Sequence, residues 1–378
     1  MTLESEDVFS VHIPQEMYDL IIEQLSDNSS TLAACSLTCR AWEPSARLHL
    51  FRTLRVPEDT DSIANWTQRL QNAPHVARWV RELEVPTFVG IGQLVPSVFP
   101  GVRHITVGPA VVAKDRGRGD MSKCYKEDAL SLRAISHIKT LSLKRMEVTD
   151  IELVLLMSHA STLSSLALDN VTMFTIDPVR VRDLAPQMHG FLTTLNVQNA
   201  SKNLVKRLLK IISPYQLRIL QFPVGNIADA EQLYGILESP LSSLKEVTIT
   251  IANRAQTDGK LEREVLCNHH LRALHIQIIY NWRECSWTHE HDLAALLLSK
   301  IHASRVSKIE VTVQLSFYER NDLIAVNWKA IACSVAERTP CPPYFIVNVH
   351  NRINYPGWTK EAMSIVACDS SKTERGSL

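Results

Sequence analysis

No apolar run in this 378-residue sequence approaches the roughly 18 residues that a membrane-crossing helix needs, so no such span is expected. The opening MTLESEDVFS is acidic and has no basic stretch ahead of an apolar one, so a secretory leader is not expected either. Charge of one sign is not in excess. Forty basic and forty acidic side chains leave a formal net charge of +0, and no global field draws the chain to nucleic acid or anionic lipid. Ordered cysteine spacing is missing as well. The cysteines at 35, 39, 124, 267, 285, 333, 341 and 368 fall at irregular intervals, and a chain this long does not need a disulfide framework. The expectation is a protein with reduced thiols in the cytoplasm, the nucleus or both.

Signatures of catalysis are absent too. The sequence contains no G-x-x-x-x-G-K-[S/T], no G-x-G-x-x-G, no H-E-x-x-H and no G-x-S-x-G. Nothing places a nucleophile beside a base, so neither a catalytic residue nor a cofactor is expected. NWRECSWTHEH, 281 to 291, brings Cys285, His289 and His291 close together. No second Cys/His pair stands at zinc-finger spacing, so no metal is expected there. Trp282 and Trp287 make the segment a loop with aromatic anchors for a partner.

What is present is a globular composition, 45% apolar and 21% charged, with two kinds of pattern. The first fills the opening fifty residues. HIPQEMYDLIIEQL predicts a helix with Pro14 at its first position and Met17, Leu20, Ile21 and Leu25 on one apolar face. SDNSS breaks it, and Ser30 or Thr31 is placed to cap a second helix. On that helix Leu32, Cys35 and Cys39 share a side, since residues four apart are neighbours. WEPSARLHLF adds a short third helix with Pro44 near its start.

This stretch resembles an F-box, in the variant found in the large fungal families. The resemblance rests on Ile13-Pro14, the first-helix aliphatics, Leu32, the Cys39-Arg40-x-Trp42 signature and the closing Phe51-Arg52. Thr38 departs from the usual valine. The family implies docking on a Skp-type adaptor, which links an F-box to a cullin-RING ubiquitin ligase. Carried over by position, Ile13, Pro14, Met17, Leu32, Leu37 and Trp42 would form the apolar contact, with Cys39 packed beside them. A cysteine on an apolar helix face is ordinarily a small core residue rather than a reactive thiol.

The second pattern repeats. An apolar-x-x-apolar-x-apolar motif recurs at 51, 80, 102, 138, 163, 192, 217, 244, 271 and 306, with a weaker copy, YFIVNV, at 344. The intervals, 22 to 38 residues, cluster where leucine-rich repeats do. Helical patterns lie between copies, from Thr149, Ser201, Asn226, Thr288 and Asn321. The second part therefore resembles a leucine-rich-repeat array, with Met146 where the cysteine-containing repeat type has cysteine and with few of the asparagines that usually follow the strand. No single unit could bury its apolar face alone, so the array is expected to stack as one solenoid. The fold class expected is α/β: a three-helix F-box over 11–55 and a βα horseshoe over 56–368, between tails at 1–10 and 369–378. PGWTKEAMSIVAC from Pro356 would cap the open end, and VVAKDRGRGDMSKCYKED, 111 to 128, reads as an inserted loop.

Alternation along each strand places small and polar residues on the outer face: Glu84, Thr106, Ser142, Ala167, Asn196, Gln221, Thr248, His275 and Glu310. The second motif positions are basic at Arg81, Arg103, Lys139, Arg218, Lys245 and Arg272. Arg218, Lys245 and Arg272 would line one rim, suited to an acidic or phosphorylated segment of a target. Gln221, Thr248 and His275 would stand beside them. The function expected is that of a substrate-recognition subunit of an SCF-type (Skp-cullin-F-box) ubiquitin ligase, non-catalytic, with no nucleic-acid or membrane partner. The alternative is a repeat scaffold whose F-box engages no ligase. The target itself is not named by the sequence.

Overall fold

Three short helices open the described chain: α1 (Gln15–Gln24), α2 (Ser29–Thr38) and α3 (Glu43–Leu50). Pro14 turns out to be the residue before α1, with φ −58° and ψ 146°; its fixed φ suits the helix that follows while its ψ keeps it outside. Asn28, rather than Ser30 or Thr31, caps α2. Its Oδ1 accepts from Thr31 N–H at 3.0 Å, which satisfies one of the donors left over at a helix start. Pro44 sits in the first turn of α3 as expected. The core of this module is small: Ile22, Leu32, Cys35 and Ala46, with Leu25, Trp42 and Leu50 packed against it.

The computed structural model describes residues 13–56, 60–86, 99, 101–108, 137–159, 161–174, 192–198, 200, 204–205, 208, 216–238, 243–256, 265–266, 270–280, 293–302, 306–315 and 344–351. The chain divides into two units, Met1–Ile138 and Lys139–Leu378. In the first, the three helices lead into β1 (Thr53–Arg55), α4 (Thr60–Asn72), α5 (Pro74–Ala77), β2 (Glu82–Val85) and β3 (His104–Val107). The three strands pair in parallel in chain order. The motif reading names no helix over α4; its signal was Ile63, Trp66 and Leu70 at three- and four-residue spacing. Phe51 stacks on Trp79, ring centres 5.9 Å apart.

The second unit runs β4 (Thr140–Lys144), β5 (Glu147–Thr149), α6 (Asp150–His159), β6 (Ser165–Asp169), β7 (Thr172–Phe174) and β8 (Thr194–Gln198). It continues with β9 (Ile219–Asn226), α7 (Ile227–Leu237), β10 (Glu246–Gln256), β11 (Val265–Leu266), β12 (Ala273–Tyr280), α8 (Leu293–Lys300), β13 (Ile301–His302), β14 (Lys308–Leu315) and β15 (Tyr344–Asn351). Eight of these strands form a long parallel sheet in the order β4-β6-β8-β9-β10-β12-β14-β15. Two smaller parallel pairs, β5 with β7 and β11 with β13, lie outside the motifs and were not expected. This is a mixed α/β architecture of solenoid type, in which each strand pairs with the strand of the preceding repeat.

Every one of the eleven motifs lies on a strand. In ten of them the strand starts at the third motif residue. In the last, Tyr344 sits opposite Lys308, itself a third residue, so the copy at 344 is two residues out of frame. In the copies from 80 to 306 the first, fourth and sixth motif residues are buried, as Leu163, Leu166 and Leu168 illustrate, whereas in the copy at 51 Phe51 is exposed and Leu54 half-buried. Among the described residues, three strands are followed by a residue with positive φ: Gly108 after β3, Arg145 after β4 and Asn170 after β6.

Among the expected helices, those from Thr149 and Asn226 are α6 and α7. In the pattern from Ser201, Leu204, Val205 and Leu208 are helical and buried. The described part of the pattern from Thr288 is α8, which ends at Lys300, after which Ile301 and His302 pair with β11. The helix expected from Asn321, the cap from Pro356, the segments 111–128 and 281–291 and both tails lie outside the described residues.

Candidate functional site

Two surfaces collect the residues singled out in the sequence. The first belongs to the helical module. Ile13, Met17, Leu20, Ile21 and Leu37 are all exposed large apolar side chains, Leu37 at 86%. At about 100° per residue, Met17, Leu20 and Ile21 fall in one stripe of α1, with Ile13 exposed just ahead of the helix, while Tyr18 and Ile22 fall in another, which Leu25 continues at the helix end. The structure turns the second stripe inward against Leu32, Cys35 and Ala46. Leu25 therefore does not share a face with Met17, Leu20 and Ile21, as the spacing alone had implied.

The pose of α1 is fixed by polar ties to the start of α3. Ser45 Oγ donates to Asp19, Gln15 Nε2 donates to Asp19 Oδ1 at 3.0 Å, and Gln15 Nε2 also donates to Ala41 O at 2.9 Å. The Ser45 hydroxyl, then the Gln15 amide, hold the Asp19 carboxyl below the usual range. Trp42 is half-buried, its ring 6.1 Å from that of Tyr18. Pro14 is exposed.

Leu32 and Cys39 differ from expectation. Leu32 is 1% exposed and belongs to the core of the module, so it is not part of an outward contact. Cys39 is exposed: α2 ends at Thr38, and Cys39 is extended, with φ −156° and ψ 161°. It therefore does not line up with Cys35 on a helix face. Leu20 and Ile21 are the exposed apolar residues that the carried-over set omitted.

The second surface is the outer face of the parallel sheet in the second unit. The register places Ser142, Ala167, Asn196, Gln221, Thr248, His275, Glu310 and Ile346 side by side across eight strands. All but Ile346 are half-buried. Glu310 is the focus of one end of this row. His275 Nδ1 lies 3.0 Å from its Oε2, Lys308 Nζ 2.7 Å from the same oxygen, and Asn348 Nδ2 donates to Oε1. The Lys308 ammonium, with smaller help from His275 and Asn348, holds the Glu310 carboxyl below its ordinary range; partial burial works against it.

Arg218, Lys245 and Arg272 occupy consecutive rungs at the N-terminal ends of β9, β10 and β12. Each main-chain N–H after the first donates to the carbonyl of the one before, at 2.8 Å. All three are exposed, and among the described residues none is in an ion pair. Their counterparts in the first unit behave differently. Arg52 pairs with Glu82 at 3.0 Å, and Arg81 folds back to donate to Arg78 O at 2.7 Å. Ser164 and Thr193 take the equivalent places before Arg218, each hydroxyl donating to the carbonyl of the preceding rung. The positive stretch is thus confined to three strands, the same three that carry Gln221, Thr248 and His275.

Among the described residues, no group of three His, Cys, Asp or Glu side chains could hold a metal ion, and no helix is long and apolar enough to cross a membrane. No protein-family model and no curated protein matches the sequence. Among solved structures, the chain matches one in the crystal structure of a Rad7 and Elc1 complex from yeast. The identity is 12%, 91% of each chain is covered, and the TM-score is 0.26. A superposition that loose does not establish a shared fold.

Proposed function

We propose that this chain is the substrate-recognition subunit of an SCF-type ubiquitin ligase. In this reading residues 13–51 are an F-box that docks a Skp-type adaptor, and through it a cullin-RING ligase. The parallel array, a leucine-rich-repeat horseshoe, holds the protein target. The observation that carries the reading is the outward apolar stripe of α1, Met17, Leu20 and Ile21, together with Ile13 just ahead of it and Leu37. A module with so small a core gains nothing from exposing five large apolar side chains unless a partner covers them.

The chain itself needs no catalytic residue. It raises the local concentration of the target's lysines near an E2 carried by other subunits, and that proximity is its contribution to rate. It works in the cytoplasm or nucleus, without cofactor, metal, nucleic acid or membrane. Arg218, Lys245 and Arg272 receive an acidic or phosphorylated part of the target, because exposed cations that hold no ion pair among the described residues are suited to bind carboxylate or phosphate.

The test is co-expression with a Skp-type adaptor followed by size-exclusion chromatography. Co-elution of wild type that is lost in a Met17→Glu, Leu37→Glu variant supports the ligase reading. Wild type running alone overturns it and leaves a free-standing scaffold.

A further inference from the structure

β8 stops at Gln198, while its neighbour β9 runs on to Asn226. The sequence of β9 explains why. Ile219 N–H donates to Thr193 O at 3.0 Å, and alternate N–H groups of a strand face the same neighbour. Residues 221, 223 and 225 therefore turn their N–H sides toward β8. Pro223 has no N–H to offer, and the N–H of Gly225 is taken by Asp229 Oδ2 of α7 at 3.1 Å. The ladder between β8 and β9 ends at Asn196 opposite Gln221.

Beside this part of β9 lies a cavity of about 320 Å³. Val197, Phe222 and Val224 give it apolar walls, and Gln232, Thr250 and Gln277 give it polar groups without charge. Gln232 Nε2 is buried and has no hydrogen-bond partner among the described residues. Asp229, also at the wall, keeps anions out. The volume is at the lower end for ligand pockets, enough for one large side chain.

A second depression, about 280 Å³, lies toward the N-terminal ends of the strands, among Glu246, Thr248, His275 and Thr312. Gln277 lines both. We read the two, which adjoin at this residue, as one trough; Arg218, Lys245 and Arg272 stand at the opposite end of the same strands. From these second motif positions to the seventh and ninth, where the cavity lies, the strands rise about 17–23 Å at ~3.3 Å per residue.

We propose that the trough binds an extended segment of the target through two anchors. An acidic or phosphorylated residue sits on Arg218, Lys245 and Arg272, and a tyrosine fills the cavity about five to seven positions away, because an extended peptide has the same rise as the strands beneath it. Tyrosine meets both demands of the cavity: its ring lies against the apolar walls and its hydroxyl oxygen accepts from Gln232 Nε2. The amide and hydroxyl floor between the anchors hydrogen-bonds the peptide backbone. The proposal rests on the sheet being the target surface and does not depend on adaptor binding.

The experiment is fluorescence anisotropy of the full chain with labelled synthetic peptides. Each carries one phosphoserine and one tyrosine, with spacers of one to nine serine or alanine residues, in both orders. The expected result is an affinity maximum at spacers of four to six, at least about tenfold above the shortest and longest. Tyrosine→phenylalanine in the best peptide costs several-fold, and Gln232→Leu removes that difference while leaving the phosphoserine requirement. Lys245→Glu with Arg272→Glu removes the phosphoserine requirement instead. Flat affinity across spacers, or no difference between tyrosine and phenylalanine in wild type, overturns the two-anchor proposal. If phosphoserine still matters in that case, the rim reading survives alone; if it does not, both fail.

Discussion

Leu32 and Leu37 stand five residues apart on one ten-residue helix, and one is 1% exposed while the other is 86% exposed. Five residues turn a helix by about 140° past a full revolution, so the two leucines serve opposite ends of one design. Leu32→Ala leaves a cavity against Ile22, Cys35 and Ala46 and costs about 2–5 kcal/mol. Leu37→Ala changes stability by no more than about 0.5 kcal/mol. Hydrogen exchange across α1–α3 should show lost protection in the first variant only. Adaptor capture falls in both, in the first through unfolding and in the second with the module intact.

The contrast also shows where sequence reading reached its limit. Spacing revealed that α1 was apolar on Met17, Leu20, Ile21 and Leu25, but two apolar stripes on one helix look alike until something is packed against one of them. Leu32 entered the contact set by its position in the F-box resemblance, which does not tell a side chain that faces a partner from one that fills the module's own core. The strands that carry the repeat motif were legible, because burial of residues one, four and six imposes a pattern that solvent-exposed positions do not share; the short pairs β5 with β7 and β11 with β13 fall outside the motif and were not. The trough was not legible from spacing. Its signal is a proline inside a strand, Pro223, whose missing donor ends a ladder, and that meaning appears only once the neighbouring strand is known.

Glu310 makes the stability of the second unit depend on pH. Its folded-state pKa lies below the ordinary glutamate range, with Lys308 as the largest cause. Its contribution is therefore fully present above the unfolded-state value of about 4.3 and is lost as pH falls below that through the folded-state value. Wild type and Glu310→Gln should differ most at neutral pH, by no more than about 1 kcal/mol given the solvent access of the pair, and converge in acid. Urea unfolding at a series of pH values measures this.

The basic rim should act on binding and not on folding. Arg218→Glu, Lys245→Glu and Arg272→Glu each remove an exposed cation that holds no ion pair among the described residues, so each shifts stability by no more than about 0.5 kcal/mol. Together they should abolish capture of a phosphorylated peptide. The wild-type affinity should fall steeply between low salt and about 0.15 M, where the screening length is ~8 Å. An affinity indifferent to salt would remove the rim from the recognition surface.

Arg145 and Asn170 occupy the same place in successive repeats, each directly after a strand and each with positive φ, 48° and 54°. Each also donates its N–H to the next strand's last stretch, Arg145 to Asp169 O and Asn170 to Gln198 O, both at 2.8 Å. The left-handed conformation is thus required by the ladder at both sites. Asparagine tolerates it, whereas arginine pays the Cβ penalty of roughly 1–2 kcal/mol. Arg145→Asn should raise the thermal midpoint of the second unit, with a gain of about 0.5–1 kcal/mol, and Asn170→Arg should lower it by a similar amount. Differential scanning calorimetry of the two single variants and the exchange double variant tests this, since the double should return close to wild type if position in the repeat, rather than the local sequence, sets the cost.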